Sequence, residues 1–190
     1  MSNNSSFKNI ASFIFETGLL NNFKRSGFDF LGTCNQNIAS HSFRASIIAY
    51  ILAKRLNADE NKAVILTLFH DIPETRTGDI NYFQKKYTEK NETKAVEDIA
   101  SIITELNDLV GLNNEFNYGE NIEAKVAQDA DVLELIFTLK EELDKGNTQA
   151  EIWINGAIDR LILDESRQII DAALNMKSYD WWMDILNIKR

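Results

Sequence analysis

One proline in 190 residues, Pro73, is the feature that most restricts what this chain can fold into. Proline and glycine are the strongest local breakers of regular structure, and there are only eight glycines to add to it. Between these few breakers run long segments whose apolar residues recur at the 3.6-residue period of a helix. No segment alternates long enough to read as a strand. VILTLF (64–69) has strand-like composition in isolation, but it lies inside a longer helical pattern. An all-α fold follows. The length suits one domain with a substantial core. We expect a single unit over 1–190, with its core at about 20–145 and C-terminal helices at 148–187.

The periodicity predicts a first amphipathic helix over 7–20, with Phe7, Ile10, Ile14 and Phe15 on its apolar stripe and Gly18 near its end. Residues 21–40 are rich in Asn, Gly and Ser and read as loop. Ser40 is the expected N-cap of a helix from His41 to Leu56, with Phe43, Ile47, Ile48, Ile51 and Leu52 facing inward. Asp59 is placed to cap a helix from Glu60 to about His70, whose nearly all-round apolar run makes it the expected most buried helix. Pro73 then breaks the chain near His70-Asp71. Further helices are predicted over 88–110, 119–144, 148–176 and 179–187, with Gly111, Gly119 and Gly146 at boundaries.

The chemistry concentrates in rare residues. There are two histidines, His41 and His70, and His70 is followed directly by Asp71. A lone histidine on a helix is as readily a packed residue as a ligand. The combination says more. Adjacent helical residues diverge by about 100°, but at a helix end before a proline both side chains of His70-Asp71 can turn toward one ion. A polar pair ending an apolar run also needs a partner, because unpaired buried charge is costly. Asp131 sits among Val126, Val132, Leu133, Leu135 and Ile136, an unusual place for a carboxylate without a counter-charge or metal. Two imidazoles and two carboxylates form a mixed N/O set suited to Mn, Co, Fe, Ni or Zn. On an octahedral ion they leave two positions for water and a phosphate oxygen.

The order His41…His70-Asp71…Asp131 resembles the H…HD…D signature of the HD-domain metal-dependent phosphohydrolases. The surrounding stretches KRSGF (24–28), SHSFRAS (40–46), LFHDIPETRTGDI (68–80) and DADVLELIFTLKEEL (129–143) resemble its 5'-deoxynucleotidase, oxetanocin-like branch, as does GNTQAEIW (146–153). The resemblance implies metal ligation by His41, His70, Asp71 and Asp131. Asp129 competes for the fourth place, but the family's last Asp precedes an x-Leu-Glu pattern, matched by Asp131 to Glu134. It implies that Glu74 orients or deprotonates the attacking water. Asp79 would hold a water or protonate the leaving oxygen; its alternative role is an N-cap for the segment after it. Arg25 would contact the phosphate with its guanidinium fork. The family often carries Trp, packed near the sugar, where this chain has Phe28. Arg76 and Lys85 are further nearby cations. A homodimer and a nucleotide substrate are implied too, and Trp153, Trp181 and Trp182 could serve an interface or a core.

Other readings fit less well. Alarmone hydrolases carry a Glu-Asp pair where this chain has Glu74-Thr75, and cyclic-nucleotide phosphodiesterases need more histidines than two. A hydrolase of another phosphorylated small molecule and a metal-binding regulatory module without catalysis remain alternatives; the retained Glu74 and Asp79 argue against the second. A purely structural helical protein, with both histidines satisfied in its core, is a third. A net charge of −9 lacks the basic footprint of a nucleic-acid binder or a membrane-surface protein. One cysteine, Cys34, cannot form an internal disulfide and reads as a small apolar filler. The first residues lack the basic region and long apolar run of a signal peptide, so a cytoplasmic location is expected.

Overall fold

Short Asn and Asp side chains start most of the long helices of this protein. The structure, a computed structural model, describes residues 3–183, 185 and 186. Its helices are α1 (Asn3–Thr17), α2 (Ile38–Leu56), α3 (Glu60–Phe69), α4 (Glu74–Thr77), α5 (Glu92–Ile102), α6 (Leu109–Tyr118), α7 (Ile122–Asp144), α8 (Ala150–Ile158), α9 (Asp164–Leu174) and α10 (Asp180–Met183). Among the described residues there is no strand, only an isolated bridge between Lys24 and Asn37, and no helix is long and apolar enough to cross a membrane. The fold is all-α, as the scarcity of breakers predicts. Asp59 caps α3 through the amides of Asn61 and Lys62, and Asn91 and Asn121 do the same for α5 and α7.

The start of α2 differs from expectation. Asn37, not Ser40, is its N-cap: the Asn37 side chain accepts from the Ser40 amide, so the helix begins three residues earlier. His41 therefore sits inside the helix rather than at its mouth.

α7 occupies the centre. Its Val126, Ala130, Leu133, Ile136 and Leu139 pack against Ala49, Leu52 and Ala53 of α2, Ala63 of α3, Ile154 of α8 and Ile170 of α9. α7, not α3, is thus the most buried helix, and Ile65 and Leu68 of α3 point outward. A second cluster joins Leu20, Ile38, Ile72, Val96, Ile99 and Leu109. Cys34 packs at the edge of the first cluster, as a filler would.

The apolar stripe expected on α2 is largely on the wrong side. Phe43, Ile47 and Ile51 are exposed, while Ala45, Ala49, Leu52 and Ala53 face inward. Helix axes approach as closely as the side chains between them allow, and the alanine face admits α3 and α7. Phe43 and Ile47, with Tyr50, instead rim an apolar groove of about 650 Å³ between α1, α2 and α3. On α1, Phe7, Ile14 and Phe15 are likewise exposed, and Phe13 packs on the second cluster.

Two predicted helices are split. The 88–110 segment divides at Ile103, whose extended backbone ends α5, and α6 then runs through Gly111 without a break. The 148–176 segment divides into α8 and α9, because the amides of Ile162 and Leu163 bond to Asp129 instead of continuing a helix. Gly119 does mark a boundary: a Cβ there would lie 2.4 Å from the Glu115 carbonyl oxygen and 2.7 Å from the Ala124 Cβ. Of the helix predicted over 179–187, α10 covers Asp180–Met183, and Asp184 and Asn187 lie outside the described residues.

Candidate metal centre and cleft

α2, the end of α3 and α7 each deliver one part of the centre. His41 on α2 is fully buried. Its Nδ1 lies 2.5 Å from Glu134 Oε2, and its Nε2 lies 3.1 Å from Asp131 Oδ1 and 3.8 Å from Asp71 Oδ2. α3 ends at Phe69, and the turn before Pro73 lets His70 and Asp71 face the same space, as their position before a proline suggests. His70 Nδ1 donates to the Thr67 carbonyl at 2.6 Å, which leaves Nε2 as the ring's free atom. That atom stands 3.1 Å from Asp71 Oδ2 and 3.9 Å from Asp131 Oδ1.

Ligand atoms of His41, His70 and Asp71 all lie within 4.8 Å of one another. Both Nε2 atoms are buried without a hydrogen bond, although carboxylate oxygens are close by. Two unpartnered imidazole nitrogens aimed into one carboxylate-lined space are what a divalent cation fits. The electrostatics agree. Burial opposes charge on His70, yet Asp71 and Asp131 outweigh it and push its pKa up to about 9. His41 is raised as well: burial and Arg25 oppose its charge, while Asp131 and Glu134 favour it. Burial works against ionised Asp71 and Asp131 too, but the histidines and Arg25 hold both well below the usual carboxylate range. Both shifts come from the negative charge gathered in this space, which a metal ion would offset.

Asp129 and Asp131, two residues apart on α7, take opposite directions. Asp129 is fully buried and accepts from the amides of Ile162 at 2.8 Å and Leu163 at 2.9 Å. Its oxygens are committed to the α8–α9 connection. Asp131 faces the histidines.

Arg25 reaches into the same space, 3.3 Å from Asp71 Oδ2 and 3.7 Å from Asp131 Oδ1. Asp79 fixes the backbone beside it, since Asp79 Oδ2 accepts the Ser26 amide at 2.6 Å. Asp79 does not cap the following segment; Asn81 does, accepting from Phe83 and Gln84. Gly78 makes this possible with φ +68 and ψ 167, a backbone conformation that is essentially restricted to glycine.

Glu74 follows Pro73 and is nearly buried. Its Oε1 lies 2.5 Å from Lys90 Nζ, and its Oε2 has no hydrogen-bond partner. Burial pushes its pKa up to about 7, with Asp71 adding to the shift and Lys90 opposing it. These groups open into a cleft of about 320 Å³, whose lining includes Arg25, Glu74, Asp79, Tyr82, Lys90 and Trp153. Phe28 lines it too, but is otherwise sunk in the core. Lys85 borders the cleft, and its ammonium lies 5.8 Å from the centre of the Tyr82 ring. Arg76 turns away to pair with Glu16 at 2.6 Å. Trp153 belongs to the cleft, while Trp181 is exposed.

Sequence reasoning missed Glu134, Lys90 and Arg160, the last of which lines the cleft with its Nη2 3.9 Å from Asp131 Oδ2. Glu134 left a signal, being one helical turn from Asp131. Lys90 and Arg160 left none, since each is one of many surface-type cations.

A family model described as the HD domain matches residues 17–169. A 5'-deoxynucleotidase of Cronobacter sakazakii is 29% identical over 131 residues, covering 60% of this chain; the match spans 64% of that relative's length. A conserved hypothetical protein from Pyrococcus furiosus has a solved structure with a TM-score of 0.74 at 24% identity, covering 87% of this chain and 99% of its own. A predicted metal-dependent phosphohydrolase from Magnetospirillum magnetotacticum superposes with a TM-score of 0.67 at 20% identity, over 90% and 93% of the two chains. These two structures speak for the fold. With its H…HD…D residues gathered at one buried centre and the family model matched over most of its length, the chain belongs to the HD-domain family.

Proposed function

We propose that this protein hydrolyses nucleoside 5'-monophosphates, with 2'-deoxy forms among its substrates, to nucleoside and phosphate. One observation carries the reading most directly: Glu74, nearly buried and with a free oxygen, shares a cleft with His70, Asp71 and Asp131, and His41 is buried beside them. The similarity to 5'-deoxynucleotidases supports the substrate class.

A divalent transition metal held by the four ligands would polarise a phosphoryl oxygen and acidify water nearby. Arg25 stands where its fork can bind the other phosphoryl oxygens, offsetting charge that grows as the bond to the ribose oxygen breaks. Glu74 takes the proton of the attacking water, a role suited to a carboxylate with a pKa near neutrality. Asp79 anchors the Ser26 amide through Oδ2 and so keeps Arg25 aimed, and as part of the cleft lining it stands where it can also hold a water or protonate the leaving oxygen. Tyr82 and Trp153 offer flat apolar surface to a base farther along the cleft. Phe28, in the position where the family often carries Trp, lines the cleft but is almost fully buried. We also infer a homodimer. Its face would be the apolar groove edged by Phe43, Ile47, Tyr50 and Leu68, since exposed apolar patches of this kind mark interaction sites.

The direct test is phosphate release from a panel of 2'-deoxy and ribo 5'- and 3'-monophosphates with Mn²⁺ or Co²⁺. Release from 5'-monophosphates that is lost in His70→Ala is expected. Glu74→Gln should lower turnover by about 10²–10⁴-fold while metal content is unchanged. Cleavage of no monophosphate under either metal overturns the reading.

A further inference from the structure

Glu134 is a fully buried carboxylate, and a buried charge persists only where partners surround it. Its two oxygens are used differently. Oε1 accepts from Gln36 Nε2 at 2.6 Å, Arg44 Nε at 2.8 Å and Thr138 Oγ1 at 3.0 Å. Arg44 is itself held by Thr138 and by Glu141 at 2.6 Å, so this donor set is rigid. Oε2 faces His41 Nδ1 at 2.5 Å. Residues three apart lie on one helix face, so α7 grips the His41 ring at both nitrogens: Glu134 at Nδ1 and Asp131 near Nε2.

We propose that Glu134 is the positioning residue of the metal centre, holding the His41 proton on Nδ1 and thereby keeping the Nε2 lone pair for the ion. An imidazole has one proton when neutral, and the partner of one nitrogen decides which nitrogen is left free to bind. The Thr67 carbonyl does the same for His70. This inference rests on the metal-binding reading of the centre and is independent of which phosphate ester is the substrate.

The saturation of Oε1 makes one substitution decisive. Glu134→Gln keeps size and shape. Its amide oxygen must face Gln36, Arg44 and Thr138, which all donate, so its NH₂ must face His41 Nδ1. A donor there turns Nδ1 into an acceptor and moves the ring proton to Nε2, where it blocks the ion. Glu134→Asp keeps the charge and the preferred tautomer at a longer reach.

The test is Zn²⁺ affinity, measured by competition with a fluorescent chelator on the full chain, with helicity followed by circular dichroism. Glu134→Gln is expected to bind Zn²⁺ about 10–100-fold more weakly than the wild type, with Glu134→Asp between the two. The second readout is long-range ¹H–¹⁵N correlation on protein labelled at its two histidines. Zn²⁺-loaded wild type should carry the His41 proton on Nδ1, and metal-bound Nδ1 with a protonated Nε2 overturns the proposal without any variant. Folded Glu134→Gln that binds Zn²⁺ as tightly as wild type overturns it too. Protein that shows the expected tautomer and affinities but cleaves no monophosphate supports this inference and removes only the nucleotidase reading.

Discussion

Asp129 and Asp131 offer a sharp test, because two identical side chains one dipeptide apart are assigned different work. Asp129→Ala removes both acceptors of the Ile162 and Leu163 amides. A hydrogen bond to a charged group contributes about 1.5–3 kcal/mol. Ile162 is exposed, so water can replace Asp129 at its amide. The loss is then dominated by the Leu163 amide and the emptied pocket, about 3 kcal/mol in all. At this chain length each kcal/mol shifts Tm by roughly 2–4 °C, so the variant should melt about 6–12 °C lower. Calorimetry on chelator-treated protein reads this, and chelator competition reads Zn²⁺ affinity, which should be unchanged. Asp131→Ala should do the reverse: it should lose more affinity than the roughly 10–100-fold typical of outer partners of a metal site, without a comparable fall in Tm. An Asp129→Ala variant that keeps its Tm and loses Zn²⁺ would refute both assignments.

The acid limb of activity should report Glu74. A general base works deprotonated, and burial raises this one to about 7, so kcat/KM should climb as pH rises through that value. Lys90 opposes the shift, so Lys90→Met should move the limb to higher pH; a limb that stays put or moves down removes Glu74 from the role. Ile47→Glu, placed in the apolar groove, should convert the inferred dimer to monomer in light-scattering measurements while metal affinity stays the same, and a wild type that is already monomeric at micromolar concentration refutes the dimer.

Much of the candidate centre was legible because it is built from scarce residue types. Two histidines, one followed by Asp and then by the only proline after one intervening residue, leave few other arrangements for a buried imidazole pair. Choosing Asp131 over Asp129 needed the motif around it; in the structure Asp129 accepts the Ile162 and Leu163 amides, while Asp131 faces the histidines. Lys90 stayed hidden because nothing local distinguishes it; its place in the site comes from its contact with Glu74, sixteen residues earlier. The inward face of α2 was misjudged for a similar reason. The helix is apolar on two sides, and its own sequence does not say which side meets α7.

By itself, then, the sequence determined what short-range physics controls. The dearth of breakers required helices, Asp59 placed a cap, Gly119 marked an end, and Pro73 forced the turn that lets His70 and Asp71 share a space. Tertiary structure alone decided which faces are buried, where two long helical patterns are interrupted, and how Glu134 reaches His41 across 93 positions of chain. Those outcomes depend on which surfaces pack most closely and which buried polar atoms find partners. Both are properties of pairs of elements, and no single segment carries them.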